Sequence, residues 1–140
     1  MDTKYILEQF RKTYTGLDIE VDSEEEDGLR FHAAHCNLKP FDDDILLRFC
    51  FYETATIVEA VFDQMERSLK NFELLNDFNS NNLAFAAFIE DHGERNYLHV
   101  RAVGPSQDED EGLNVVRTYL NLLLADSTKE ELLKLTAVTF

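Results

Sequence analysis

Tryptophan is absent from this 140-residue chain, proline and cysteine occur twice each, and glycine five times. Two cysteines, Cys36 and Cys50, are too few for the disulfide framework on which small secreted domains rely. So little glycine and proline beside 44% apolar residues excludes a low-complexity or disordered chain. No apolar run approaches the roughly 18 residues of a membrane span. The opening MDTKYILEQFRKTY carries charge throughout and lacks the basic-then-apolar order of a signal peptide. These absences predict a reduced, cytoplasmic protein, folded as a single domain over residues 1–140 and large enough to bury a core.

Positive charge is also scarce. The 13 bases face 28 acids, for a formal charge of -15. The acids are bunched: residues 18–27 hold seven with no base, 42–44 hold three and 108–111 hold four, half of all the acids. Such a surface repels phosphate backbones and anionic membranes, so neither nucleic acid nor membrane is expected as a partner. It favours solubility, or attracts a basic partner.

What the chain does have is apolar patterning. Tyr5, Ile6, Phe10 and Tyr14 fall near helical spacing over 2–14. Residues 17–22 alternate strictly between apolar and acidic, as in a half-buried strand, and 29–36 and 45–52 read as second and third strands. Thr56 and Glu59 form a Thr-x-x-Glu pattern ahead of Val58, Val61, Phe62, Met65, Leu69, Phe72 and Leu75, which recur at three- and four-residue steps. That spacing predicts a capping box and a long helix ending near 79–82. The apolar runs 83–89 and 97–103, joined by a polar turn containing Gly93, predict a hairpin. Ser106 with Glu109, and Ser127 with Glu130, predict two closing helices. The expected fold is α+β in the order α-β-β-β-α-β-β-α, with a short extra helix. It has a five-stranded antiparallel sheet and helices mainly on one face.

The stretch Leu74-Leu75-Asn76-Asp77-Phe78-Asn79, the strand after it, the His92-Gly93 turn and the strand 97–103 together resemble the type III secretion chaperone-like superfamily. The likeness is strongest to its YbjN-like branch, and the order of elements extends it over essentially the whole chain. The resemblance implies a non-catalytic protein, often dimeric, that offers apolar surface to a partner polypeptide.

No motif carries chemistry. A phosphate-cradling glycine loop, CxxC, HExxH and a nucleophile elbow are all missing. His32 and Cys36 lie four residues apart on one strand, about 13 Å, too far to share an ion. His35 falls on the opposite face, and His99 sits on another strand. The acid runs lack the spaced loop that wraps calcium. A hairpin centred near Phe41 would bring Cys50 closer to His32 than to Cys36, yet a small buried cysteine is the simpler reading. No catalytic residue, cofactor or metal is therefore expected, and a small enzyme has only Cys50 and the histidines in its favour.

The strands 45–52 and 83–89 are apolar on nearly both faces. Phe49, Phe51, Phe85, Ala87 and Ile89 make one face; Leu46, Cys50, Tyr52, Ala84, Ala86 and Phe88 make the other. One set faces the helices, and the pattern does not say which. The second set is the candidate interaction surface for a partner polypeptide or a second copy in a homodimer. The alternative is an acidic inhibitor or immunity-type protein that neutralises a basic partner.

Overall fold

The computed structural model describes Glu8, Lys12, and residues 19–26, 29–36 and 45–136. Of the expected helix over 2–14, Glu8 and Lys12 are helical and exposed, and the rest lies outside the described residues. The described strands are β1 (Ile19–Glu26), β2 (Leu29–Cys36), β3 (Ile45–Phe51), β4 (Ala55–Gln64), β5 (Ala86–Asp91) and β6 (Asn96–Pro105). The helices are α1 (Leu69–Asn81), α2 (Glu109–Leu123) and α3 (Asp126–Thr136). The strands form one six-stranded sheet in the order β1-β2-β3-β4-β6-β5, every pair antiparallel.

This corrects the expected five-stranded sheet and its α-β-β-β-α-β-β-α order. Residues 55–64, expected to open a helix at a Thr56–Glu59 capping box, are instead the fourth strand, central to the sheet. Thr56, Val58, Ala60 and Phe62 are buried at every second position, the period of a strand. The β-branched side chains of Thr56, Ile57, Val58 and Val61 suit a pleated surface and lose χ1 freedom in a helix. The helix begins only at Ser68, whose hydroxyl accepts from the Asn71 N–H at 3.1 Å.

The core lies between the sheet and the helices. Ile45, Leu47 and Phe49 of β3, Val58, Ala60 and Phe62 of β4, Leu98, Val100 and Ala102 of β6, and Ala87 of β5 are all buried. They pack with Leu75 and Phe78 of α1, Val115, Val116, Leu120 and Leu123 of α2, and Leu132 and Leu135 of α3. The helix-facing set is therefore the one containing Phe49, Phe51, Phe85, Ala87 and Ile89. The acids at the start of α2 serve as its cap, two residues later than the expected Ser106–Glu109 pair. Asp108 Oδ1 accepts from the Glu111 N–H at 2.9 Å, and Glu111 Oε2 accepts from the Gln107 N–H at 2.8 Å.

Two contacts fix how the helices meet the sheet. At Gly104 of β6, a Cβ would lie 2.8 and 2.9 Å from the two methyl carbons of Val115 on α2. Val115 is β-branched and has little room to turn. Gly104→Ala is therefore expected to lower stability by about 1–3 kcal/mol through overpacking, measured by urea denaturation. An unchanged midpoint would mean that α2 does not approach β6 this closely.

The second contact is at the sheet's edge. Asn79 of α1 pairs with both backbone groups of Ala87 on β5: its Nδ2 donates to the Ala87 carbonyl at 3.0 Å, and its Oδ1 accepts from the Ala87 N–H at 2.7 Å. The side-chain amide thus occupies the outward-facing groups of an edge strand, which otherwise invite another chain. Asn79→Ala is expected to cost about 1–3 kcal/mol and to raise hydrogen exchange at the Ala87 amide first. Exchange there no faster than in the wild type would remove this role from Asn79.

Candidate functional site

The face away from the helices is set by register. Its central row runs Arg48–Glu59–Arg101–Ala86 across β3, β4, β6 and β5. A second row is Leu46–Val61–His99–Phe88, and a third holds Cys50, Ile57 and Val103. The structure thus places Leu46, Cys50, Ala86 and Phe88 of the candidate surface on one face, with β4 and β6 between the two pairs. Tyr52 lies in the β3–β4 turn, half-buried, and Ala84 precedes β5, exposed. The β2–β3 register sets Cys50 opposite Phe31, beside His32. Leu46, Cys50, Ile57, Val61 and Phe88 are each partly exposed, and Val103 is 54% exposed.

At the centre of this apolar face is a polar cluster. His99 of β6 is fully buried, and its Nδ1–H donates to Glu59 Oε1, also buried. Arg101 Nη2 lies 3.4 Å from Glu59 Oε2, and its guanidinium stands 4.8 Å over the Phe88 ring. Phe88 in turn stacks on His99 at 5.3 Å. Burial works to raise the Glu59 carboxyl. The hydrogen bond from His99 and the fields of Arg101, His99 and Arg48 outweigh it and hold the group below its ordinary value.

The β5–β6 turn completes the cluster. Gly93 takes a positive φ of 84°, and the His92 N–H donates to the Arg95 carbonyl at 2.8 Å. This tight reversal sets Glu90, His92 and His99 within reach of one another. His92 Nε2 is 3.0 Å from His99 Nε2, Glu90 Oε2 is 3.2 Å from His99 Nε2, and Glu90 Oε2 is 3.7 Å from His92 Nε2. The sequence reading missed this grouping. The available signal was the hairpin register itself. Pairing Asp91 with Asn96 puts His99 opposite Phe88, so Glu90 lies diagonal to His99 on the same face.

No family model matches the chain. No curated protein matches it either. Among solved structures, the chain is similar to YbjN of E. coli, a candidate transcription regulator, with a TM-score of 0.53 at 14% sequence identity. The match covers 97% of this chain and 91% of that one. At this identity the likeness is one of architecture: the chain shares the overall fold of YbjN. Among the described residues, no helix is long and apolar enough to cross a membrane.

Proposed function

We propose that this chain is a non-catalytic, cytoplasmic protein-binding module of YbjN-like type, working as an adaptor or chaperone. Its open sheet face receives a partner polypeptide, and the first occupant is a second copy of the chain. The observation that carries the reading is the two-sided sheet. Behind it the helices bury one face, while Leu46, Cys50, Ile57, Val61, Phe88 and Val103 remain partly or largely exposed on the other. A face of this kind is what an isologous pairing or an extended peptide would bury.

Light scattering at micromolar concentration tests the pairing. The wild type should show twice the 16.2 kDa chain mass, and Val103→Lys, at an exposed position, should show the chain mass alone. A wild-type mass of 16.2 kDa rules out the second copy. A native-cell pull-down that enriches no polypeptide more strongly with the wild type than with Val103→Lys then overturns the binding role.

A further inference from the structure

We propose that Glu90, His92 and His99 form a binding site for a late first-row divalent cation of the Zn2+ class, with Glu59 orienting His99 from behind. Three features of the cluster lead there.

The first is spacing. Bonds of about 2.0–2.1 Å at tetrahedral angles hold ligand atoms about 3.3 Å apart. The three donor atoms here are separated by 3.0, 3.2 and 3.7 Å. Two imidazole nitrogens and one carboxylate oxygen are a donor set that Zn2+ favours, and they leave the fourth position for water.

The second is the tautomer of His99. Its Nδ1–H is committed to the Glu59 carboxylate, which leaves Nε2 to accept; Nε2 meets His92 Nε2 head to head at 3.0 Å, the two rings nearly parallel, and Glu90 stands to one side. A carboxylate behind a ligating histidine fixes both the tautomer and the ring orientation in this way. Glu59 is itself held by Arg101, so the supporting groups are linked across β4 and β6.

The third is an electrostatic conflict. With the His99 proton on Nδ1, Nε2 has a second acceptor, the Glu90 carboxylate oxygen, 3.2 Å to one side, while His92 Nε2 lies on its axis at 3.0 Å. A cation between them turns that repulsion into coordination. The same ion replaces the proton that His92 Nε2 shares with His99 Nε2 across 3.0 Å. His92 is 40% and Glu90 45% exposed, so an ion reaches them from solvent and the His92 ring has room to tilt its lone pair onto it. The competing arrangement is a doubly protonated His99 bridging Glu59 and Glu90 with no ion.

The test uses the full chain stripped with a chelator. Zn2+ is titrated by calorimetry, and Co2+ by visible absorption, where tetrahedral coordination gives intense bands. One ion per chain should bind, with a tetrahedral Co2+ spectrum and a higher melting temperature. His92→Ala and Glu90→Gln change exposed side chains and should fold, and each should weaken binding at least tenfold. Glu59→Gln should weaken it about 10–100-fold, the range for groups behind a ligand. Asp110→Asn, in the acid run of α2, should bind as the wild type does. Absence of saturable binding at one equivalent would overturn the site in favour of the protonated His99. Binding kept within about twofold in both His92→Ala and Glu90→Gln would also overturn it, by moving the ion to the acid runs.

Discussion

Replacing Phe49 by alanine is expected to lower the unfolding free energy by about 3–5 kcal/mol, the range for a large aromatic removed from a packed core. Phe49 is fully buried on the helix side of β3, opposite Val58 of β4. The surrounding strands are hydrogen-bonded on both sides and cannot move in to fill the space. Phe88 is the internal comparison. It is the same side chain on the other face, half-buried, touching His99 and Arg101. Phe88→Ala should cost only about 1–2 kcal/mol, from the lost ring stacking and cation–π contact. Urea denaturation with an unchanged slope checks both. Equal losses would contradict the division of the sheet into a buried and an open face.

Glu59→Ala should be the most damaging change on the open face, at about 3 kcal/mol. The loss does not come from packing. It comes from leaving His99 without an acceptor in a fully buried position and Arg101 without its carboxylate. Arg101 is 39% exposed and can turn to water, which keeps the cost from rising further. Glu59→Gln retains an oxygen for the His99 proton and should lose less. A double-mutant cycle with Arg101→Ala should show coupling, because Arg101 Nη2 reaches both carboxylate oxygens of Glu59. A Glu59→Ala variant within about 0.5 kcal/mol of the wild type would place Glu59 among ordinary surface positions.

The strands β3 and β6 and the end of α1 were legible because apolar runs and an asparagine-rich break mark them directly, while the run 83–89 marked only the first part of β5, which begins at Ala86 and continues through Glu90 and Asp91 after an exposed turn at Leu83 and Ala84. Alternation also put Leu46, Cys50, Ala86 and Phe88 on one face, as the register does, but Tyr52 and Ala84 of the same set lie outside the strands, and alternation did not say which face the helices cover. Residues 55–64 were not legible, for a definite reason. Val58, Val61, Phe62 and Met65 satisfy three- and four-residue spacing, while Thr56, Val58, Ala60 and Phe62 satisfy spacing of two. The alternation that should decide between them is blurred because the other face carries Ile57 and Val61, and its acid, Glu59, is itself buried. The β-branched content was the better guide. The His92–His99–Glu90 cluster was hidden because its members come together only through the register of a hairpin and the support of a third strand. Spacing along the chain places His92 and His99 seven residues apart, a distance that signals nothing by itself.

The junction of β4 with β6 has a consequence for how the molecule assembles. Strands β1 to β4 follow one another as neighbours, but β5 and β6 arrive after α1, and it is β6 that docks on β4. That seam therefore joins two parts of the chain made at different times, and aliphatic surface alone would not distinguish one alignment from another. A slip of one residue would turn core residues outward. A slip of two keeps every side chain on its proper face, and the pairing of charges opposes it. In either direction it would set Arg101 opposite Ile57 or Val61 in place of Glu59. The ionic row across the open face thus proofreads the docking of the last two strands.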